Sequence, residues 1–243
     1  MKLRTDAAST ANTTSKKNRE IKYIVIHYTA GVTSKPGSAY NTAKYFGKDT
    51  TKASADYIVD DEYVCQFNMD IKNRYTWHCG GSKYKTKGGS LYGVCTNANS
   101  IGIEICSSNS TKKVTNANDA NWYYTDEVIA NTVELVQQLM KDYNIDADHV
   151  IRHYDVTGKP CPGIIGWNAD TGDGSKWLKF KTDILGQDLF GTHYPDCEHV
   201  DEIDKLKEEV AYWKAKYEAS QSEINKIKDV ISGIKNVIDT LEV

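Results

Sequence analysis

The chain has 243 residues, a formal net charge of -3, 40% hydrophobic and 26% charged residues, enough for one sizeable core and a smaller appendage. The near-balanced charge argues against a strongly electrostatic binder, so neither nucleic acid nor membrane is expected as a partner. No apolar run approaches the roughly 18 residues that a bilayer-spanning helix needs.

Residues 1–20 are polar, lack periodicity and contain no apolar signal-peptide core, so they read as a mobile lead-in, with the protein accumulating in the cytoplasm. Residues 21–186 alternate strand-like and helix-like segments. Tyr23, Ile24, Val25 and Ile26 form a buried strand with His27 at its end. Residues 56–59 and 63–65 flank Asp60, Asp61 and Glu62, the pattern of a hairpin. Residues 100–106 alternate, with Ile101, Ile103 and Ile105 on one face and Gly102, Glu104 and Cys106 on the other.

A helix is expected over 125–143, capped by Thr125, with Asp126 and Glu127 in its first turn and Asn144 as a left-handed stop. Its buried stripe reads as Ile129, Val133, Val136, Met140 and Tyr143. A further strand, residues 150–152, leads to His153 and a Pro/Gly-rich loop containing Lys159 and Cys161. Strands interleaved with helices predict an α/β fold, a central mixed β-sheet flanked by helices. The six cysteines include no CxxC pair, and in a chain of this length they read as reduced thiols rather than a disulfide framework.

After a linker at 187–199, residues 200–243 carry a seven-residue repeat. Ile203, Val210, Tyr217, Ile224, Ile231 and Ile238 alternate with Leu206, Trp213, Ser220, Ile227, Ile234 and Leu241. This is the seam of a C-terminal coiled-coil helix and predicts a homo-oligomer; a single helix folded back on the first domain is the alternative.

His27, His153 and Cys161 supply two imidazoles and a thiolate, a donor set suited to one Zn²⁺ per chain with a fourth position open. Taken singly, each residue reads equally well as structural.

Five stretches in order resemble the type-2 N-acetylmuramoyl-L-alanine amidase family, which includes phage endolysin amidases and peptidoglycan recognition proteins. They are YIVIHYTA at 23–30, ASADY at 53–57, TWHCG at 76–80, SIGIEI at 100–105, and IRHYDV at 151–156 followed by GKPCP at 158–162. The resemblance implies a zinc amidase domain over 21–186 that acts on bacterial peptidoglycan, cutting between N-acetylmuramic acid and L-alanine. It implies His27, His153 and Cys161 as zinc ligands, Glu104 as general base and Lys159 facing the oxyanion. Trp77 and His78 match a stretch bordering the substrate cleft. Many relatives carry a histidine, often after tyrosine, where this chain has Ala55 and Asp56, so Asp56 is expected to bind a polar substrate group instead. Asp155 is a candidate to orient His153. The implied setting is a phage or prophage endolysin that accumulates in the host cytoplasm before acting on the wall; a bacterial autolysin and a non-catalytic peptidoglycan-binding module are the alternatives.

Overall fold

The computed structural model describes residues 1–186 and a few isolated positions between 216 and 232. The expected linker falls outside the described residues, as does most of the coiled-coil seam.

Within residues 1–186, ten short strands and four α-helices follow one another. They are β1 (Lys2–Arg4), β2 (Thr13–Ser15), β3 (Tyr23–Tyr28), α1 (Ser38–Phe46), β4 (Tyr57–Val59), β5 (Tyr63–Gln66), β6 (Arg74–Thr76), β7 (Ser100–Ile105), β8 (Ser108–Asn109), β9 (Trp122–Tyr123), α2 (Asp126–Tyr143), β10 (Val150–Arg152), α3 (His153–Thr157) and α4 (Ser175–Ile184). The main sheet has the order β1-β5-β4-β7-β3-β10. It is mixed: β4 and β5 are antiparallel, the expected hairpin, while β4, β7, β3 and β10 run parallel.

The hairpin turn is built by Asp60. Its Oδ1 accepts from the backbone of Glu62 and Tyr63 at 3.0 and 2.7 Å. Its Oδ2 accepts from Gly37 and Ala39 at 2.9 and 3.0 Å, satisfying N–H groups at the start of α1.

The first twenty residues are not a mobile lead-in. Strand β1 pairs in parallel with β5 as the sheet's edge, and β2 pairs antiparallel with β6. Arg19 is buried and its guanidinium donates to the carbonyls of Arg74 and Ser100. Polar composition hid this because strand pairing and a buried arginine use backbone groups, which leave no hydrophobic pattern.

One face of the sheet is the main core. Ile24, Ile26, Ile101, Ile103 and Ile105 are fully buried there, packed with α2, α4, Trp167 and Phe180. Helix α2 has the expected ends: Thr125 Oγ1 accepts from Val128 N, and Asn144 is left-handed at φ 52°. Its buried stripe is Val128, Thr132, Leu135, Val136 and Leu139, with Ile129, Val133, Met140 and Tyr143 only on the shoulder. Thr132 disguised the stripe: it reads as polar, but its hydroxyl is satisfied by the Val128 carbonyl at 2.6 Å and can be buried.

Candidate active site

The parallel register lines up the chemistry. In β3 and β7, His27 lies opposite Glu104 and Val25 opposite Gly102. In β10 and β3, Ile151 lies opposite Val25 and Arg152 opposite Ile26, and His153 follows at once as the first residue of α3. Side chains alternate along a strand, so His27 and Glu104 share the face opposite the isoleucine core, at the carboxyl ends of neighbouring strands. Clefts of α/β proteins gather at such ends. Gly158, left-handed at φ 79°, ends α3 and turns the chain back toward Cys161.

The ligand atoms of His27, His153 and Cys161 lie within 4.8 Å of one another, and all three residues are buried. The two histidine rings are 4.6 Å apart centre to centre, and Cys161 Sγ is 3.8 Å from His27 Nδ1. Neither nitrogen of His153 has a hydrogen-bond partner, nor has Glu104 Oε2, although all three atoms are buried. Orphaned polar atoms of this kind are rare in a folded interior and mark a place where a cation or solvent belongs. Two imidazoles and a thiol converging beside them fit a zinc ion.

Burial dominates the electrostatics. It pushes both histidines down, His153 to about 3, with the Lys159 ammonium acting in the same direction. It pushes Cys161 up to about 12 and Glu104 up to about 8, and Lys159 partly counters both shifts. Neutral imidazoles are the ligating form, and a bound cation would offset the burial cost of the thiolate and the carboxylate.

A cleft of about 520 Å³ opens over these groups, walled by Thr29 and Ala30 after β3, Asn41 and Tyr45 of α1, and Trp77. A neighbouring hollow of about 660 Å³ shares Trp77, His78, His153 and Lys159 and runs out past Lys83 and Tyr84. Trp77 is fixed by Thr14, whose hydroxyl accepts from Nε1 at 2.9 Å, and it remains a wall of both hollows. The α1 residues carried no motif in the sequence and enter the cleft only through the fold.

Two expectations need correction. Asp56 does not line either hollow. It is fully buried, and its carboxylate accepts from Asn68 at 2.8 Å, Thr76 at 2.9 Å and Gly102 N at 2.8 Å. It ties three segments together and has no face left for substrate. Asp155 does not orient His153; both its oxygens hold the Arg152 guanidinium, at 2.9 and 2.6 Å.

His78 is mostly buried, with Nδ1 3.1 Å from His27 Nε2 and Nε2 3.1 Å from Ser100 Oγ.

Fold and site together define an α/β protein with a pocket of three converging donors that could hold a metal, at the carboxyl ends of inner strands of the sheet. A profile for N-acetylmuramoyl-L-alanine amidase matches residues 17–164. The chain belongs to the N-acetylmuramoyl-L-alanine amidase family. A probable N-acetylmuramoyl-L-alanine amidase of Bacillus licheniformis is 33% identical over 172 residues, covering 69% of this chain and 43% of the relative. The amidase CwlA of Bacillus subtilis (strain 168) is 32% identical over 163 residues, covering 67% and 48%. The chain thus spans less than half the length of these curated relatives. Among solved structures, the catalytic domain of XlyA aligns with a TM-score of 0.52 at 26% identity, covering 76% of this chain and 99% of that one. The PlyG catalytic domain, at 24% identity and a TM-score of 0.53 over 81% of this chain and 100% of that one, shares the fold.

Proposed function

We propose that the protein is a zinc-dependent N-acetylmuramoyl-L-alanine amidase that hydrolyses the amide between the lactyl group of N-acetylmuramic acid and L-alanine in bacterial peptidoglycan. Family membership supports the bond class. The observation that carries the reading is the group of buried, unpartnered donors, His153 and Glu104 Oε2, converging with His27 and Cys161 under an open cleft.

Held by His27, His153 and Cys161, zinc would supply Lewis acidity and make water easier to deprotonate. The rest of the chemistry belongs to the side chains. Glu104 takes the proton from the attacking water, whose oxygen adds to the amide carbon. The protonated Glu104 then gives that proton to the alanine nitrogen as the carbon–nitrogen bond breaks. Burial raises its proton affinity in the metal-free chain, and a bound cation would bring it back toward the range in which one carboxyl both accepts and gives up a proton. Lys159, on the wall of the same cleft, places its ammonium where the oxyanion develops. Trp77 offers a flat apolar surface for a sugar or stem peptide.

The test is chelation. Stripping the metal should abolish release of new N-terminal alanine from purified wall, and Zn²⁺ should restore it in the parent chain but not in Cys161→Ser. A chain that binds wall fragments yet frees no alanine with zinc present is a binding module, and the enzymatic reading is then wrong.

The setting supported by the family resemblance is a phage or prophage endolysin. The seven-residue repeat of 203–241 supports self-association, which would present several heads to one wall surface. Deleting 200–243 should lower the solution mass and the lytic potency while sparing cleavage of soluble fragments; an unchanged mass refutes the assembly.

A further inference from the structure

Behind the three donors lies a chain of hydrogen bonds that the catalytic scheme does not use. His27 turns Nδ1 toward Cys161 and Nε2 toward His78 Nδ1, 3.1 Å away. His78 Nε2 is 3.1 Å from Ser100 Oγ, and the Ser100 hydroxyl donates to the Thr96 carbonyl at 2.6 Å. The last link fixes the direction of the one before it and, for a neutral His78, of the link to His27 as well. A carbonyl only accepts, so the Ser100 proton is committed to Thr96 and the Ser100 oxygen is left to accept. His78 Nε2 must then carry the proton and donate. A neutral His78 therefore has a bare Nδ1, which accepts from His27 Nε2–H. That in turn leaves His27 with a bare Nδ1 on the side of Cys161 and His153, the form a metal needs.

His78 is itself held in place. Its backbone N–H and that of Cys79 both donate to Asn97 Oδ1, at 3.1 and 2.8 Å. It packs against Gly102 of β7, where a Cβ would come within 2.5 Å of His78 Cγ. The glycine in the middle of the isoleucine strand thus makes room for this ring. Asp56 accepts from the N–H of the same Gly102, so the buried acid supports the floor under His78.

We propose that His78 is a positioning residue: with Ser100 and the Thr96 carbonyl it forms a one-way hydrogen-bond chain that sets the tautomer and ring orientation of His27 for metal binding. The proposal rests on the reading of His27, His153 and Cys161 as a zinc site. It assigns His78 a task behind the ligand rather than contact with substrate. Partners of this kind orient ligating imidazoles, and their loss typically weakens metal affinity by about tenfold to a hundredfold.

The experiment compares zinc affinity, measured by competition with a chromophoric chelator, in the parent chain, His78→Phe and His78→Asn. Phenylalanine keeps the ring against Gly102 and removes both nitrogens. Asparagine keeps an acceptor, its Oδ1 standing where Nδ1 stood. His78→Phe should bind zinc about ten to a hundred times more weakly, and His78→Asn should recover most of that loss. A folded His78→Phe with the parent's affinity overturns the proposal, as does a His78→Asn no better than His78→Phe. Nitrogen-15 NMR of the imidazoles in the unsubstituted chain gives a readout independent of any variant's folding. His78 and His27 should both be protonated at Nε2 and not at Nδ1, and a His78 carrying its proton on Nδ1 overturns the chain. If the unsubstituted protein takes up no zinc, the metal-site reading fails; the tautomers, read in the metal-free chain, still decide whether the hydrogen-bond chain exists.

Discussion

The two faces of the central sheet obey opposite rules. On the α2 face, Ile24, Ile26, Ile101, Ile103 and Ile105 are buried among apolar partners. On the other face the same strands carry His27, Gly102 and Glu104, with His78 against them, and the buried Glu104 Oε2 and both His153 ring nitrogens lack hydrogen-bond partners. The contrast sharpens between two acids, Asp56 just before β4, with a buried carboxylate, and Glu104 on the neighbouring β7, with a buried Oε2. Asp56 is fully satisfied by three donors; Glu104 is not. A protein interior normally satisfies its polar groups, so the partnered acid marks architecture and the unpartnered one marks chemistry.

Substitutions on the two sides should therefore fail in different ways. The largest effect belongs to Glu104→Gln, which keeps the shape and removes the base: kcat should fall by about 10²- to 10⁴-fold, with zinc content maintained and no loss of stability. A variant within a few-fold of the parent would mean that Glu104 is not the base. On the isoleucine face, Ile103→Ala should cost about 2–5 kcal/mol of stability in denaturant titrations while activity per folded molecule stays near the parent's. Loss of kcat at full folding would break the division between the faces. Asp56→Ala should behave like the core variant despite its charge. It leaves Asn68, Thr76 and the Gly102 N–H without their acceptor, a loss of about 3 kcal/mol.

Much of this division is legible in the sequence because alternation in a strand assigns faces without any knowledge of the fold. The run at 100–105 separates Ile101, Ile103 and Ile105 from Gly102 and Glu104 by period alone, and the structure keeps that separation. The order of five motifs brought His27, His153 and Cys161 into one group, and the parallel register and the loop after α3 bring them within reach. What was hidden has a common cause. Asp56, Arg19 and Thr132 are polar residues whose partners are backbone groups or distant side chains, Asp155 pairs with Arg152 one turn away, and such pairings leave no periodic hydrophobic trace in a sequence. His78 was legible from the sequence as bordering the cleft, and it lines both hollows, but its neighbours were not legible: a hydrogen bond spanning 51 positions to His27 depends on the three-dimensional path.

The comparison of the two acids can be pressed furthest through pH, in the metal-free chain. Glu104 holds its proton up to about pH 8 in the folded protein, against an ordinary value of 4.5, because burial penalises its charge. Between those values the folded state binds a proton that the unfolded state has released, so this group makes stability fall as pH rises through the window. Glu104→Gln cannot titrate there. The variant should therefore gain on the parent steadily from pH 5 to pH 8, reaching about 2–4 kcal/mol, and the gap should stay level above that. His27 and His153, both pushed down by burial, contribute the opposite slope below their unfolded values, so only the difference between the two proteins isolates Glu104. Adding Zn²⁺ should shrink the gap, since a nearby cation favours the carboxylate. A gap that is flat across pH 5–8 would show Glu104 already ionised in the folded chain, with a partner or water to hold its charge, and the distinction drawn between the two acids would then be lost.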